Sequence, residues 1–411
     1  MRRVAITGVG VITPVGCTVD TFWSNIKAGH HGIGKVENLD MTGQKISLAA
    51  QVKDFDVEKY MDKHEVRRLD PYARFAAAAA VDALADCGTD FADLDPYRVG
   101  VIIGSGIGGL QTLEANHEKF VQKGPNRVSA LMIPLMIANA AAGHIAMKTG
   151  YKGVNYATVT ACSSSNHAAG EAFHAIRHGY ADAIVTGGAE ATITPFALGA
   201  FANMTALCNG EDPDRASIPF DAERSGFIMG EGAGILILEE WEHAKARGAK
   251  IYAEVVGYGT TNDAYHITSP APDGNGLVKS MEFAIQDAGV TPDKISYVNA
   301  HGTSTPPNDS TETKAIRTLF GDHADKLCVS STKSMTGHML GAAGAVEAII
   351  SALSLRDGVV PPTANYKVKD PACDLDYVTE GARALDYDYA ISNTMGFGGH
   401  NATLCLKKFR G

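Results

Sequence analysis

The chain of 411 residues is short of basic side chains, of paired cysteines and of long apolar stretches. Its 36 lysines and arginines are outnumbered by 46 aspartates and glutamates, which gives a formal net charge of −10. General nucleic-acid binding needs surplus basic side chains to neutralise phosphates, so this charge argues against that class of function. It remains compatible with a local basic patch that docks an acidic partner.

The seven cysteines are scattered and include no C-x-x-C pair. Such a set predicts neither a disulfide framework nor a zinc site, and it is typical of a reducing compartment. The longest apolar window, Ala130–Met147, is interrupted by Pro134, Asn139 and His144, and we interpret it as a buried helix and not as a membrane span. The N-terminal run VAITGVGVITPVG predicts a first β-strand and not a secretion signal. We therefore expect a cytoplasmic protein without membrane insertion.

Short apolar runs alternate with helical patterns along the whole chain. Helices are predicted over Ala73–Cys87 and Leu277–Ala288, each ended by a glycine. Near-continuous apolar strands between helices predict an α/β protein whose sheets are covered on both faces. The predicted strands cover residues 4–13, 99–105, 183–188, 234–239, 251–259, 297–302, 326–331 and 390–399.

A weak internal repeat suggests two related halves. Residues 156–185 and residues 326–360 each pass from a strand through small residues into an Ala/Gly-rich helix. Each places one chemically special residue, Cys162 or His338, just before that helix. We therefore predict an N-terminal half at 1–250 and a C-terminal half at 251–411, facing each other across a shared centre.

Cys162 is the only cysteine of the seven that combines a strand end, a helix start and small neighbours. A helix N-terminus stabilises an anion, so this position predicts a thiol with a lowered pKa and a nucleophilic role. His301 and His338 each lie between a strand and a glycine or small-residue turn, where catalytic groups of open α/β sheets gather. A buried filler cysteine and structural histidines are the ordinary alternatives.

Three further motifs carry weaker signals. Gly104-x-Gly106-x-x-Gly109 formally matches a dinucleotide fingerprint, but no acidic strand end follows at the required distance, and we interpret it as a tight turn that directs Ile107 into a pocket. In the glycine block 390–402, the Phe397 amide is a candidate oxyanion donor. Lys63, Arg67 and Arg68 form a basic cluster that is either a solvated helix face or a docking patch.

Four blocks, in this order, resemble the signature blocks of the β-ketoacyl-acyl-carrier-protein synthases: TACSSSNHAAGEA, VNAHGTSTP, SSTKSMTGHMLGAAGAVEA and NTMGFGGHN. The likeness covers essentially the whole chain and is greatest to the type II elongating enzymes. It implies a thiolase-like fold, in which two similar α/β halves form a five-layered α-β-α-β-α core, and a homodimer. It further implies an acyltransferase of fatty-acid biosynthesis that condenses an acyl chain with malonyl-acyl-carrier-protein and releases carbon dioxide.

The resemblance also implies roles for individual residues. Cys162 would carry the acyl chain as a thioester, and His301 and His338 would stabilise the enolate left by decarboxylation. The amides of Cys162 and Phe397 would hold the tetrahedral oxyanion. The remaining implied residues are Lys333 and Glu347 as electrostatic support, Thr303 and Thr305 at the pantetheine, and Ile107 and Phe397 as gates of the acyl pocket.

No cofactor is required according to the resemblance, because phosphopantetheine arrives on the acyl carrier protein. A structural Na⁺ or K⁺ occurs in some relatives, and the corresponding ligands here are Asn299, Ala300, Glu347, Ser392 and Asn393. The carrier protein would dock at Lys63, Arg67 and Arg68.

The chain departs from the family pattern at three places, which concern gating and docking and leave the chemistry intact. Met395 and His400 replace a commoner Phe and Thr, and the usual basic contact near Ala206 is absent.

Several relatives and rivals differ at recognisable positions. A thiolase would carry a second cysteine where MGFGG stands, initiating and plant-type polyketide synthases would carry Asn at one histidine position, and an inactive chain-length factor would lack Cys162. A type I elongating synthase or a polyketide ketosynthase of the same fold stays open, as does a cysteine hydrolase. The sequence leaves the preferred chain length and the pathway undetermined.

Overall fold

The computed structural model describes residues 1–411 as an alternating α/β protein. Each of the eight predicted strand segments contains a strand, and both predicted helices are present. The strands are β1 (Val4–Ile12), β2 (Gly34–Lys35), β3 (Leu48–Ala49), β4 (Val99–Gly104), β5 (Asn155–Thr158), β6 (Ala183–Glu190), β7 (Gly232–Glu240), β8 (Ala253–Asn262), β9 (Ile295–Asn299), β10 (Cys328–Ser330), β11 (Val359–Val360), β12 (Arg383–Ala384), β13 (Tyr389–Gly396) and β14 (His400–Lys408).

The helices lie between these strands and on both sides of them. They are α1 (Val19–Ala28), α2 (Lys63–Val66), α3 (Pro71–Cys87), α4 (Leu110–Lys123), α5 (Met132–Met136), α6 (Ala140–Thr149), α7 (Ser164–Arg177), α8 (Pro195–Asn203), α9 (Trp241–Ala246), α10 (Asn275–Asp287), α11 (Pro306–Phe320), α12 (Lys333–Thr336) and α13 (Ala343–Asp357). None of them has both the length and the apolar composition needed to cross a bilayer.

Ten strands form one sheet in the order β10-β9-β13-β14-β8-β1-β7-β6-β4-β5. At its centre β1 and β8 pair over only three residues of each strand, Val4–Ile6 with Val255–Ala253. Outward from this joint, β1, β7, β6, β4 and β5 on one side mirror β8, β14, β13, β9 and β10 on the other. The sheet therefore consists of two half-sheets with the same topology, and the boundary predicted at residue 250 lies between β7 and β8.

Strand side chains alternate between two separate cores, as the period of two in a β-strand requires. In β7, Ile235 and Ile237 join the core beneath α3, whereas Leu236 and Leu238 join the core that contains α7 and α13. All residues of α13 from Ala343 to Leu355 are buried, because this helix packs against strands of both half-sheets. A third core lies between the C-terminal half-sheet and α10 and α11. The layers are therefore α-β-α-β-α, as expected.

The repeat extends to the closest helix–strand contacts. A Cβ atom on Gly8 or Gly10 of β1 would lie 2.3 or 2.0 Å from a carbonyl oxygen of α3. A Cβ atom on Gly257 or Gly259 of β8 would lie 2.0 Å from a carbonyl oxygen of α10. Each half thus begins with a glycine pair two residues apart, which lets the first helix approach the strand backbone.

The prediction of one buried helix over Ala130–Met147 is wrong. The segment forms two helices, α5 and α6, separated at residues 137–139, and its Leu131, Ile133 and Ile137 are exposed. Pro134 falls in the first turn of α5, where its missing N–H removes no helical hydrogen bond. A helix can therefore begin just before Pro134, whereas one continuous helix from Ala130 would have to run through it. The part around α5 therefore lies on the surface of the isolated chain, whereas α6 buries Ala141, Ala142 and Ile145 in the core beside α3.

We expect Gly10→Ala to destabilise the protein, because its Cβ would overlap the Ala79 carbonyl oxygen in a helix that cannot move freely. Overpacking of this kind costs about 1–3 kcal/mol. Gly143→Ala on α6 meets no atom within 4 Å and should stabilise by about 0.4–1 kcal/mol. Denaturant unfolding of the two variants measures the difference, and equal stabilities would contradict this account of the β1–α3 contact.

Candidate active site

One cavity of about 720 Å³ brings together residues that are far apart in the chain. Cys162, His301 and His338 all line it, so the three predicted reactive side chains share a single space. Ile107, Thr303, Thr305 and Phe397 also line it. Lys333 and Glu347 are buried outside its lining.

Cys162 lies in a tight turn between β5 and α7. One turn of 3₁₀-helix, Ala161–Ser163, precedes α7, and Ala161 adopts a φ of 51°, which non-glycine residues rarely do. The Ser164 hydroxyl fixes this turn by donating to the Ala161 carbonyl oxygen over 2.7 Å and accepting from the Thr160 N–H over 2.9 Å. The strained backbone thus presents Cys162 at the start of the helix.

The glycine block after β13 packs directly on this turn. A Cβ atom on Gly396 would lie 2.5 Å from the Thr160 carbonyl oxygen, so only glycine permits the approach. The Ser163 hydroxyl donates to the His400 carbonyl oxygen over 2.8 Å. Phe397 is thereby held beside the thiol, and two of the three departures from the family pattern, Met395 and His400, lie in this contact region.

The predicted lowering of the Cys162 pKa is wrong. Burial raises the pKa of this thiol to about 12. The Lys333 ammonium and the backbone N–H groups of Phe397 and Cys162 act in the opposite direction, and the Glu190 carboxylate reinforces the rise. Burial outweighs the helix N-terminus because a thiolate without water loses more solvation than the partial charges return.

The two histidines form a close pair. Their ring centroids are 5.3 Å apart and their planes are nearly perpendicular, at 85°. Burial, together with the positive charge of Lys333, lowers the pKa of each ring well below its usual range. Both imidazoles are therefore neutral at physiological pH, and each has one N–H group to donate.

The backbone fixes where each ring lies. The N–H groups of His301 and Gly302 donate to the two carboxylate oxygens of Glu312, each over 2.8 Å. The His338 N–H donates to the Ile228 carbonyl oxygen over 2.7 Å, and the Phe227 ring lies edge-on 5.2 Å from its imidazole. The Nδ1 atom of each histidine has no hydrogen-bond partner within the protein.

Lys333 and Glu347 form an ion pair behind the histidines, with only 1% and 2% of their side chains exposed. Burial raises the pKa of Glu347 to about 7, against the lowering effect of Lys333. The pair therefore places a cation close to both imidazoles and to the thiol. Breaking such a buried pair destabilises a protein, because removing one partner leaves the charge of the other buried and unpaired.

Three buried oxygens near this pair have no hydrogen-bond donor: Asn299 Oδ1, Ser392 Oγ and Glu347 Oε2. Asn299 and Ser392 are register partners on β9 and β13, and the Asn299 amide donates to the Glu347 carbonyl oxygen over 3.5 Å. Unpartnered buried oxygens are rare in proteins, and oxygens are the ligands that hard cations prefer. The residues present therefore fit a small cation.

The substrate-contacting residues predicted from the sequence lie around the same cavity. The Thr303 and Thr305 hydroxyls are 2.8 Å apart. Ile107 lines the cavity from the turn after β4, but 40% of it is exposed in the isolated chain. In this turn, which formally matches a dinucleotide fingerprint, the N–H groups of Gly106 and Ile107 donate to the carboxylate of Glu190.

Sequence reasoning missed Glu190 and Glu312, which are completely buried and bind the two turns that follow β4 and β9. Burial raises the pKa of Glu190 to about 7 and that of Glu312 to about 6. The available signal was an acidic residue at the end of an otherwise apolar strand, AIVTGGAE, and one on the helix after the His301 block.

The basic cluster lies on the surface around α2. Lys63, Arg67 and Arg68 are exposed and none lines the cavity. Lys63 is 3.6 Å from Glu58, whereas the two arginines have no carboxylate within 4.0 Å. Their charges are therefore free to meet an acidic partner.

Comparison with known proteins agrees with this geometry. The family described as Beta-ketoacyl synthase, N-terminal domain matches residues 1–244, and Beta-ketoacyl synthase, C-terminal domain matches residues 252–367. A 3-oxoacyl-[acyl-carrier-protein] synthase 2 of Synechocystis sp. is 49% identical over 410 residues, covering 100% of this chain and 99% of that protein. The enzyme of the same name from Staphylococcus aureus strain N315 is 50% identical over 408 residues and covers 99% of both.

Solved structures of ketosynthases have the same fold. One is the ketosynthase in a complex with a type II PKS acyl-carrier protein, with a TM-score of 0.92, 35% identity and 99% coverage of both chains. A beta-ketoacyl synthase from Burkholderia phymatum STM815 superimposes with a TM-score of 0.92 at 34% identity, covering 100% of both chains.

Proposed function

The chain belongs to the β-ketoacyl synthase family, and from this premise we propose how its own residues carry out the condensation. The reaction joins an acyl chain to a two-carbon unit from malonyl-acyl-carrier-protein in fatty-acid elongation, and gives β-ketoacyl-acyl-carrier-protein and carbon dioxide. The observation that carries the residue assignment is the convergence of Cys162, His301 and His338 on one buried cavity.

In the first step the Cys162 sulfur attacks the thioester carbonyl of the acyl-carrier substrate. A carbon–sulfur bond forms to Cys162, the bond to the carrier's sulfur breaks, and the thiol proton passes to the departing carrier thiolate. Because the resting thiol is protonated, a neutral imidazole of the same cavity is the base that can relay this proton. The N–H groups of Cys162 and Phe397 stabilise the oxyanion; one such donor is worth about 2.7–4 kcal/mol.

In the second step malonyl-acyl-carrier-protein loses carbon dioxide, and the electrons of the broken carbon–carbon bond form an enolate. Neutral His301 and His338 each donate an N–H to its oxygen, which a dry cavity makes more effective than in water. The carbanion then attacks the acyl-Cys162 carbonyl, and the Cys162 and Phe397 N–H groups again hold the oxyanion. The carbon–sulfur bond to Cys162 breaks, and the thiolate takes up a proton from solvent. Lys333 and Glu347 support this charge movement from behind the two rings.

A monovalent cation at Asn299, Ala300, Glu347, Ser392 and Asn393 is part of the proposal. The three unpartnered oxygens of this set support it, and Na⁺ or K⁺ would fix the two strand ends that carry Asn299 and Ser392. The melting temperature in NaCl or KCl should exceed that in choline chloride of equal ionic strength, and equal values would contradict the cation site.

A homodimer formed through the β5 edge is supported by the asymmetry of the sheet. Edge strand β10 is fully buried, whereas β5 has the burial pattern of an uncovered strand. Eleven of the 21 exposed large hydrophobic side chains lie between residues 107 and 159, which places the apolar surface next to β5. A monomeric mass in sedimentation equilibrium would contradict this assembly.

A cytoplasmic location is likewise proposed, supported by seven free cysteines, six of which are buried. Fractionation of the native host would test it, and recovery outside the cytoplasm would contradict it.

We expect Cys162→Ala to abolish acylation and condensation while leaving malonyl decarboxylation active, because the histidines remain. Cys162→Gln should promote decarboxylation without condensation, since its amide mimics the acylated sulfur. Carbon dioxide release and product formation are measured separately. Cys328→Ala, a buried cysteine outside the cavity, is the matched control and should retain both reactions. Condensation by Cys162→Ala would refute the nucleophile, and absence of decarboxylation in all variants would favour a hydrolase.

Ile107→Phe should shorten the longest acyl chain accepted, because a larger side chain would fill part of the cavity that Ile107 lines. The product profile with acyl-carrier substrates of graded length measures the effect. Val81→Phe on α3 is the control, because Val81 is similarly exposed (41%), does not line the cavity and lies outside the apolar surface at residues 107–159. An unchanged profile for Ile107→Phe would remove this residue from the acyl pocket.

Docking of the acidic carrier at the basic cluster is supported by the free charges of Arg67 and Arg68, and one of the similar ketosynthases described above is in complex with an acyl-carrier protein. Arg67→Glu with Arg68→Glu should raise the carrier KM by roughly fivefold or more at low salt, and the difference should shrink as salt rises. Turnover of a small acyl-pantetheine thioester should be unchanged. Lys294→Glu with Lys326→Glu makes the same charge change elsewhere on the surface. An equal effect of both pairs would place docking elsewhere.

A further inference from the structure

The two helices of the central layer begin in the same way, although only one begins at the nucleophile. A single 3₁₀ turn precedes each, Ala161–Ser163 before α7 and Leu340–Ala342 before α13. The first residue of each turn has a positive φ, 51° at Ala161 and 46° at Leu340. Gly341 therefore occupies, in the second half, the position that Cys162 occupies in the first.

A carboxylate of the protein fills the anion site at this second helix start. The Gly341 N–H donates to Glu190 Oε2 over 3.0 Å, and the Gly106 N–H donates to the same oxygen over 2.8 Å. Glu190 Oε1 accepts from the Ser105 hydroxyl over 3.1 Å and from the Ile107 N–H over 3.3 Å. Glu190 is completely buried and has no basic side chain within 4.0 Å, so these four donors alone stabilise its charge.

The surroundings are shaped around this carboxylate. A Cβ atom on Gly106 or Gly341 would lie 2.9 or 2.7 Å from Glu190 Oε2, so both glycines are needed for the two N–H groups to reach it. Glu190 ends β6 as Gly396 ends the equivalent strand β13, and each strand end meets the helix start of the opposite half. The N–H of Phe397, the residue after Gly396, faces the Cys162 sulfur. At the other helix start the carboxylate of Glu190 itself accepts from the Gly341 N–H.

We propose that Glu190 is a positioning residue that fills the second anion site and ties the turn of Ile107 to the turn that follows His338. One carboxylate then fixes both the turn of Ile107, the gate of the acyl pocket, and the turn after His338, which stabilises the enolate. The helix start of α7 remains available for the substrate oxyanion. The inference rests on the proposed acyl transfer to Cys162.

The electrostatics are consistent with this role. Burial raises the pKa of Glu190 to about 7, so the group loses its charge as the pH falls through that value. The titratable groups that sense its charge are the Cys162 thiol and the Tyr72 phenol, whose pKa values are raised far above 7. Neither they nor the two histidines, whose pKa values are well below the usual range, change charge near pH 7, whereas Glu347 and Glu312, with pKa values of about 7 and about 6, do.

The test compares wild type with Glu190→Gln, whose amide is the same size but turns an NH₂ group toward a backbone N–H in either orientation: toward those of Gly106 and Gly341 in one, and toward that of Ile107 in the other. Acylation by a short and a long acyl-carrier substrate gives a kcat/KM ratio that reports the Ile107 turn. We expect this ratio to change by about tenfold, the effect of losing a hydrogen bond to a charged group. In the Cys162→Gln background, Glu190→Gln should lower malonyl decarboxylation by a similar factor. Glu347 and Glu312 titrate in the same range in both proteins, so the pH effect of Glu190 is the difference between the two ratios, which should shrink as the pH falls below 7.

Glu239→Gln is the control, because Glu239 is also fully buried, lies one residue before the end of the neighbouring strand β7 and does not line the cavity; unlike Glu190 it is paired with Arg247 and His243. An equal change of ratio in Glu239→Gln, or an unchanged ratio in folded Glu190→Gln, would overturn the proposal. Should Glu190→Gln not fold, Ser105→Ala removes one donor and retains the carboxylate, and it should shift the ratio in the same direction; no shift would again refute it. A wild-type enzyme that is not acylated at all would instead refute the proposed function.

Discussion

Exclusion of water from the floor of the cavity is the constraint on which the rest of the site depends. Burial is the largest influence on the pKa of Cys162, of both histidines and of Glu347. It favours the neutral form of every one of these groups, and the Lys333 ammonium is the cation that acts on all of them. The imidazoles are consequently neutral N–H donors rather than imidazolium ions, which suits a reaction that creates an enolate between two oxyanions.

The two halves of the molecule show how one fold produces two different helix starts. Both have the same strand order, a glycine pair beneath the first helix and a residue with a positive φ, Ala161 or Leu340, before the central helix. In the first half a thiol and free N–H groups stand at the helix start, whereas in the second half glycine and an internal carboxylate stand there. The difference in chemistry therefore arises from a few side chains at equivalent positions, while the backbone is shared.

Much of this arrangement could be predicted from the sequence, because strands and helix ends leave local signals. The buried strands, the glycines that end α3 and α10, and the position of Cys162 between a strand and a helix were all of this kind. The thiol pKa was mispredicted because it depends on solvent exclusion by distant segments, which no local pattern records. Glu190 and Glu312 were missed for the same reason: their hydrogen bonds go to turns 84 and 11 residues away. The surface position of α5 depends on the absence of a covering element, and apolar composition alone does not reveal that.

Ile107 belongs both to the cavity and to the surface that the proposed homodimer would cover. Ile107 lines the cavity, yet 40% of it is open in the isolated chain, and the exposed side chains of α4, α5 and β5 follow it in sequence. An acyl pocket open to water at this residue would lose the hydrophobic contribution of about 0.8 kcal/mol per buried methylene. Selection by chain length requires a closed wall there, and a second copy on the β5 edge would supply one. Glu190 fixes the backbone of the same turn from inside, so the turn would be held from within by hydrogen bonds and covered from outside by the partner.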